Sequence, residues 1–346
     1  MTMVILLRIK ADKLPIFLFG DSTMDVGTNN FLPGCKARAD ISFYGIGSRG
    51  SRPTGRFSNG YNTADALARL MGHKRSPRPF LSLITQMSNF KRNVLTGVNF
   101  ASGGSGIMDT TGKKFGRVIP FGEQVEQYAT VRNNITELMG TSRGKTMLSN
   151  SLFVISVGSN DIFDYFESSQ SRSPEFLVNL GNQYEAHLKN LARLGARRFG
   201  IISIPPIGCV PIQRLRGNGS GGCMQDINDY AEAFLAVVKG VLPKLKSEHQ
   251  GVQFSLGNAY LATMSIINIT FPFKEVQKAC CGNGTLNTES ACSPTARVCR
   301  NREDYLFWDQ FHPTQAAAKL AAAALFAGSP PLVAPLNFSS VARIYV

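Results

Sequence analysis

Short apolar runs that alternate with helical patterns constrain the fold of this 346-residue chain more than any other feature. The apolar, strand-like runs are each bounded by Gly, Asn or Pro and lie at 16–20, 97–102, 151–161, 198–208 and 252–258. Helical patterns fall at 62–71, 121–139, 174–194, 226–245 and 313–326. This alternation predicts an α/β fold in which a parallel sheet is covered by helices on both faces.

The chain is predicted to form one α/β domain over residues 15–327. It contains no internal repeat and no low-complexity linker, and 43% of its residues are hydrophobic, which is enough for a substantial core. The Pro-rich segment 328–346 is predicted to run along the surface. No window approaches the roughly 18 to 20 uninterrupted apolar residues that a membrane-spanning helix needs.

Residues 1–14 match a secretory signal only in part. A five-residue apolar run, Met3 to Leu7, precedes a charged stretch. A complete signal peptide has an apolar region of about 7 to 15 residues, so we interpret this segment as a truncated or degenerate signal peptide. Secretion is still predicted, because the cysteines cluster and because the chain carries five N-x-Ser/Thr glycosylation acceptors. These acceptors are Asn134, Asn218, Asn268, Asn283 and Asn337.

The cysteine pattern predicts disulfides rather than a metal site. Four of the seven cysteines fall within twenty residues, at 280, 281, 292 and 299. Their spacing lacks the C-x2-4-C pairs that are typical of zinc sites. Cys209 and Cys223 flank a Gly-rich loop and would close it if paired. Cys35 is then the cysteine left over, and no metal is expected.

The net charge of +14 raises the question of an anionic partner. Basic residues are scattered in pairs, and none lies near a zinc finger, homeodomain or RNP signature, so no nucleic acid is expected as a partner. An anionic matrix or membrane surface suits this charge better. A solvated basic surface with no partner is the alternative.

Two segments partly match nucleotide-binding motifs. The stretch 45–50 fits G-x-G-x-x-G, but no convincing strand precedes it and a proline stands where the helix should begin. The stretch 140–146, GTSRGKT, resembles a phosphate-binding loop, but Met139 occupies the position of the first glycine. Neither segment supports a nucleotide cofactor.

Ser22 stands where the first apolar run ends, in GDST at 20–23. A strand that stops so abruptly has reached the carboxyl edge of a parallel sheet, which is where open α/β sheets bind ligands. Ser22 is therefore either a nucleophile or the N-cap of a following helix.

His312 is the histidine best placed to serve such a nucleophile as a base. The other three lie in a basic loop, inside a helical pattern and at the end of one: His73, His187 and His249. Asp309 precedes His312 by three residues, a spacing that can bring its carboxylate to one imidazole nitrogen while the other faces outward. In the alternative reading, Asp309 caps the next helix and His312 packs beneath Trp308.

Backbone and side-chain donors follow two further apolar runs. Glycines at 103, 104 and 106 let the backbone approach a bound group, although such a run also suits a simple tight turn. Asn160 could direct its side-chain amide to the same point or merely end a strand. Ser22, these glycines and Asn160 all follow strand ends, and a parallel sheet brings those ends together.

Four sequence blocks in this order resemble the GDSL (SGNH-hydrolase) family of esterases and lipases, especially its plant branch. They are FGDSTMDVGTNN, GVNFASGGSGI, VGSND and DQFHP, and the blocks TGRFSNG, PPIGCVP and ACCGNG extend the resemblance over nearly the whole chain. One departure is Thr28, where the plant branch usually has Asn.

The resemblance implies a flavodoxin-like three-layer α/β/α sandwich and a serine esterase that needs no metal or organic cofactor. It assigns Ser22 as nucleophile, His312 as base and Asp309 as its orienting partner. The implied oxyanion hole comprises the N–H of Ser22, the N–H of Gly104 and the side chain of Asn160, with Gly103 as the alternative to Gly104. Candidate substrates are acyl lipids, small acyl esters and acetylated cell-wall polysaccharides. A catalytically inactive, wall-associated binding glycoprotein of the same fold is the alternative function.

Overall fold

A computed structural model describes residues 13–48, 50–85, 87–168, 173–217 and 221–343. Most of the predicted N-terminal segment and the glycosylation acceptor Asn218 lie outside these described residues.

The strands form one central sheet and two small ones. In chain order they are β1 (Ile16–Gly20), β2 (Gly97–Asn99), β3 (Leu152–Ser156), β4 (Arg198–Ile202), β5 (Gln253–Gly257), β6 (Glu275–Ala279), β7 (Cys281–Gly282), β8 (Arg297–Val298), β9 (Tyr305–Phe307) and β10 (Val333–Ala334). The central sheet has the order β10-β5-β4-β3-β1-β2, and all its neighbours are parallel except β10, which pairs antiparallel with β5. Its five parallel strands follow the flavodoxin-like order, with the topological switch between β1 and β3.

The helices cover both faces of this sheet. They are α1 (Thr63–Leu70), α2 (Phe80–Ile84), α3 (Met87–Val94), α4 (Phe121–Met139), α5 (Thr141–Asn150), α6 (Ser159–Glu167), α7 (Glu175–Arg193), α8 (Pro211–Arg216), α9 (Gln225–Glu248), α10 (Ala259–Ile269), α11 (Gln315–Ala327) and α12 (Phe338–Ala342). Among the described residues, none of these helices combines the length and apolar character required to cross a membrane.

β1 shows why the fold has three layers. All five of its residues are buried, and successive side chains of a strand point to opposite faces. Phe17 and Phe19 join a core cluster with residues of α4, α7 and α9, whereas Ile16 and Leu18 join a second cluster with residues of α1, α11 and α12. The predicted three-layer α/β/α sandwich is thereby confirmed.

The C-terminal segment does not follow the surface course that its proline content predicts. Val333 lies in β10 against β5, and α12 packs over β4 and β5. Phe338 is fully buried, and its ring fits against Gly200, where a Cβ atom would lie 2.7 Å from the ring. The apolar residues Val333, Phe338 and Val341 account for this difference, because each is buried in the core cluster on this face of the sheet.

Three disulfides brace the loops around the carboxyl edge of the sheet. They join Cys209 to Cys223, Cys280 to Cys299 and Cys281 to Cys292, and Cys35 is buried and unpaired. The predicted disulfide framework is confirmed. The backbone N–H groups of Cys280 and Cys281 donate to the carbonyls of Phe307 and Trp308, so the disulfide-braced segment supports the end of β9.

Replacing Cys281 and Cys292 together by serine is expected to lower the free energy of unfolding by about 2–5 kcal/mol, because the cross-link restricts the unfolded chain. Denaturant titration under non-reducing conditions measures this loss. Cys35→Ser is the matched control, since it removes a buried sulfur that makes no cross-link. A double variant as stable as the wild type would contradict a structural role for this disulfide.

Candidate active site

The predicted site residues come together at the carboxyl edge of the central sheet. Ser22 follows β1, Gly104 follows β2 and Asn160 follows β3 in the first turn of α6, while Asp309 and His312 follow β9. All five border one cavity. The site therefore occupies the topological switch point of the sheet, where the fold class binds its ligands.

A sharp turn after β1 presents the Ser22 side chain. Gly20 has φ +143°, and a Cβ atom there would lie 2.1 Å from the carbonyl oxygen of Ser156, so this position requires glycine. The carboxylate of Asp21 accepts hydrogen bonds from the backbone N–H and the hydroxyl of Thr23 at 3.0 and 2.8 Å. Residues 21–24 form turns and no helix follows directly, so Ser22 is not an N-cap.

A continuous hydrogen-bonded chain joins Ser22, His312 and Asp309. His312 Nε2 lies 2.8 Å from Ser22 Oγ, and His312 Nδ1 lies 2.9 Å from both carboxylate oxygens of Asp309. The Asp309 side chain also accepts the backbone N–H groups of Phe311 and His312 at 2.9 and 2.8 Å. These contacts fix the imidazole between a hydroxyl and a carboxylate.

The carboxylate of Asp309 is kept ionised although the residue is only 3% exposed. Burial acts to raise its pKa, but the charge and hydrogen bond of His312, with the two backbone donors, outweigh burial and hold the pKa below its usual value. Asp309 does not cap the next helix, because the side chain of Thr314 accepts the N–H of Ala317 at the start of α11. The alternative reading of Asp309 as a helix cap is therefore wrong.

Tyr44 is a partner of this carboxylate that the sequence analysis does not include. Its hydroxyl donates to Asp309 Oδ2 at 2.8 Å, and its ring packs edge-on against Trp308 and Phe57. Burial, followed by the nearby Asp309 charge, raises the pKa of Tyr44 well above its usual value, so the phenol remains a donor. No local pattern links Tyr44 to a residue 265 positions away.

The hydrogen bonds around the glycine run distinguish Gly104 from Gly103. The N–H of Gly103 donates to Asp25 Oδ2 at 2.9 Å, whereas within the described ranges the N–H groups of Gly104 and Ser22 have no protein acceptor. Gly104 has φ +82° and borders the cavity. Asn160 Nδ2 donates one hydrogen to the carbonyl of Ser105 at 2.8 Å and retains a second.

A family model described as GDSL-like Lipase/Acylhydrolase matches residues 16–325. The chain belongs to this GDSL family. Similar relatives from Arabidopsis thaliana include GDSL esterase/lipase At5g55050, which is 37% identical over 88% of this chain and 83% of its own length. GDSL esterase/lipase 6 is 34% identical over 98% of this chain and 93% of its own. The family model and these relatives identify the chain as a carboxylic ester hydrolase.

Two buried carboxylates stabilise the loops of this GDSL hydrolase. Asp25 accepts the N–H groups of Gly27 and Thr28, both at 2.7 Å, in addition to that of Gly103. Asp161 accepts those of Ile107 and Met108 at 2.9 and 3.0 Å. Burial raises the pKa of each to about 6, against the opposing effect of these hydrogen bonds. Both residues lie inside the quoted sequence blocks, but their role emerges only from the folded loops.

The active-site cavity of the GDSL hydrolase has a volume of about 590 Å³. This volume falls within the range of typical small-molecule sites, which is roughly 300–1,000 Å³. Ser22, Gly104, Asn160 and His312 border it together with many apolar side chains. An ester placed against Ser22 Oγ would thus have hydrogen-bond donors of the protein on one side and the apolar side chains of the cavity on the other.

Proposed function

We propose that this GDSL hydrolase cleaves carboxylic esters through an acyl-enzyme formed on Ser22. The observation that carries the proposal is the hydrogen-bonded chain from Asp309 through His312 to Ser22, with contacts of 2.8 and 2.9 Å. A serine hydroxyl is a weak nucleophile unless an adjacent base accepts its proton, and the base needs a third group to orient it. The three residues supply these parts.

In the first half of the reaction, Ser22 Oγ attacks the ester carbonyl while His312 Nε2 accepts its proton. Asp309 keeps the other ring nitrogen protonated and stabilises the imidazolium that forms. The tetrahedral intermediate then collapses, the carbon–oxygen bond to the alcohol breaks, and His312 returns the proton to the departing alkoxide. The products of this half are the free alcohol and the acyl group on Ser22.

In the second half, water replaces the alcohol. His312 removes a proton from the water as it attacks the acyl-enzyme, and the resulting intermediate releases the carboxylic acid and restores the Ser22 hydroxyl. The negative oxygen in both halves is stabilised by the N–H groups of Ser22 and Gly104 and by the free hydrogen of Asn160 Nδ2. These three donors come from three strand ends, so the sheet itself preorganises them.

Active-site labelling tests the proposal directly. Purified protein is treated with a fluorophosphonate, which phosphonylates activated serines, and the modified peptide is located by mass spectrometry. The expected adduct lies on Ser22, and competition by a p-nitrophenyl ester should slow its formation. An adduct on another residue would overturn the assignment of Ser22. So would the absence of any adduct in folded protein that hydrolyses esters.

Asn160→Ala is expected to lower kcat by about 10²- to 10³-fold, because one donor to the developing oxyanion is lost. KM should change little, since the donor acts mainly on the transition state. Steady-state kinetics on a p-nitrophenyl ester measure both values, and thermal unfolding shows whether the lost bond to Ser105 affects stability. A folded variant with full kcat would exclude Asn160 from the oxyanion hole.

The cellular setting is proposed on two grounds. The three disulfides suit an oxidising compartment, and this favours a secreted protein of the extracellular space or cell wall. The net charge of +14 favours association with an anionic cell-wall or membrane surface. Association with an anionic surface would be supported if the protein binds pectin, if this binding weakens with added salt, and if a neutral polysaccharide is not bound.

A further inference from the structure

Helix α10 is apolar but only partly buried. Its sequence, AYLATMSIINI, has no charged residue and is apolar on nearly every side. A helix of this kind is normally buried in a core. Yet none of its eleven residues is fully buried, and Ile269 at its end is 72% exposed. Tyr260, Ile266 and Ile267 pack against the main core cluster. Another part of the helix surface, around Ala262, borders open space.

That space is the part of the active-site cavity between α10 and α11, which we call the α10–α11 channel. Small side chains dominate both of its walls. From α10 they are Ala259, Ala262, Thr263 and Ser265, with Ile266, and from α11 Ala317, Ala318, Ala321 and Ala324, with Leu320 and Leu325. Because alanine leaves room where leucine or phenylalanine would fill it, these walls keep the channel open.

The floor of the channel connects it with the nucleophile. Ser156 and Ile202, the last residues of β3 and β4, border it, and Leu332 and Val333 close it beyond β5. The cavity is continuous from these residues to Ser22 and His312. A chain attached to a carbonyl at Ser22 can thus extend across the strand ends and between the two helices.

Charge is distributed unevenly around the cavity. The walls from α10 and α11 contribute no charged side chain to its lining, whereas Lys36, Arg38, Lys114 and Glu167 border its other side. An uncharged channel whose walls are mostly apolar is favourable for hydrocarbon and costly for the many hydroxyl groups of a sugar. The lining therefore favours an aliphatic group beyond the carbonyl carbon over a sugar.

We propose that the α10–α11 channel binds the acyl chain of the substrate, so that the preferred esters carry an aliphatic acyl group much longer than acetyl. This inference rests on the proposed function, because it takes Ser22 as the point where the acyl carbonyl sits. Each methylene moved from water into the channel increases transition-state binding by about fourfold. An acetyl group would leave the channel unused.

The test compares p-nitrophenyl laurate with p-nitrophenyl acetate. The wild type is expected to show a higher kcat/KM for laurate. Ala321→Phe narrows the channel from α11, and Ala262→Phe narrows it from α10. Each should lower the laurate-to-acetate ratio of kcat/KM by at least about tenfold, since several methylenes lose their site. The matched control is Ala323→Phe, because Ala323 is exposed on α11 as Ala321 is but does not border the cavity, so the ratio should stay unchanged.

The outcomes separate this inference from the proposed function. A wild type that prefers acetate, or channel variants that keep the wild-type ratio, would overturn the channel while leaving Ser22 as nucleophile. If the wild type hydrolyses neither ester, binding of dansyl-undecanoic acid by Ser22→Ala tests the channel alone. The channel is supported if the acid binds with enhanced fluorescence and if Ala321→Phe weakens its affinity at least about tenfold. The absence of binding overturns the channel.

Discussion

Ser22→Ala is expected to lower kcat for ester hydrolysis by about 10⁵- to 10⁶-fold, because the acyl-enzyme can no longer form. The substitution removes one oxygen from a turn whose backbone is held by Asp21 and Gly20, so the fold should persist. Hydrolysis of p-nitrophenyl esters from acetate to palmitate measures the loss, and burst kinetics show whether any acyl-enzyme remains.

Ser142→Ala is the control for this experiment. Ser142 is exposed on α5 and does not border the cavity, so its replacement should leave kcat and KM unchanged. Thermal unfolding of both variants establishes that they are folded. Appreciable turnover by folded Ser22→Ala, above the level of a mock purification, would exclude the acyl-enzyme mechanism.

Asp309→Asn should cost about 10⁴-fold in kcat although it changes little in shape. Asp309 accepts a hydrogen bond from the N–H at His312 Nδ1, whereas an asparagine amide would also offer hydrogens there and favour the wrong tautomer. The imidazolium formed during the reaction would lose its neutralising charge as well. Measurement of kcat across the neutral and alkaline range reveals the loss.

Two comparison variants show whether the loss arises from the charge. Tyr44→Phe removes one hydrogen bond to the same carboxylate but keeps its charge, and a decrease of roughly tenfold is expected. Asp226→Asn, on the exposed first turn of α9, should have no effect on turnover. If Asp309→Asn and Tyr44→Phe were equally impaired, positioning rather than charge would explain the role of Asp309.

Local sequence patterns, namely apolar runs bounded by turn-forming residues, explain which parts of the fold could be predicted. Each of the five apolar runs predicted from the sequence contains one of the five parallel strands of the central sheet. Since parallel strands share one carboxyl edge, the residues after them converge, and this is where Ser22, Gly104 and Asn160 lie. Their roles in the reaction stay predictions until the variants are measured.

Other features depend on contacts that no local pattern encodes. Tyr44 meets Asp309 across 265 residues, and Asp25 meets the glycine run across 78. The stretch 140–146, which resembles a phosphate-binding loop, forms the start of α5 instead, because only Gly140, with φ +79°, is non-helical and the residues after it are helical. Helix α10 lacks the polar face by which an amphipathic helix is usually found, so its periodicity is weak.

The C-terminal segment contributes something that the family match does not cover. That match ends at residue 325, but β10 and α12 come after it. Without β10, the backbone groups of β5 along one edge would be unpaired, and such an edge is a template for strands of other molecules. The fold thus extends past the residues that the family model matches. An expression boundary drawn at residue 325 would remove Phe338 from the core and leave the edge of β5 open to association with other molecules.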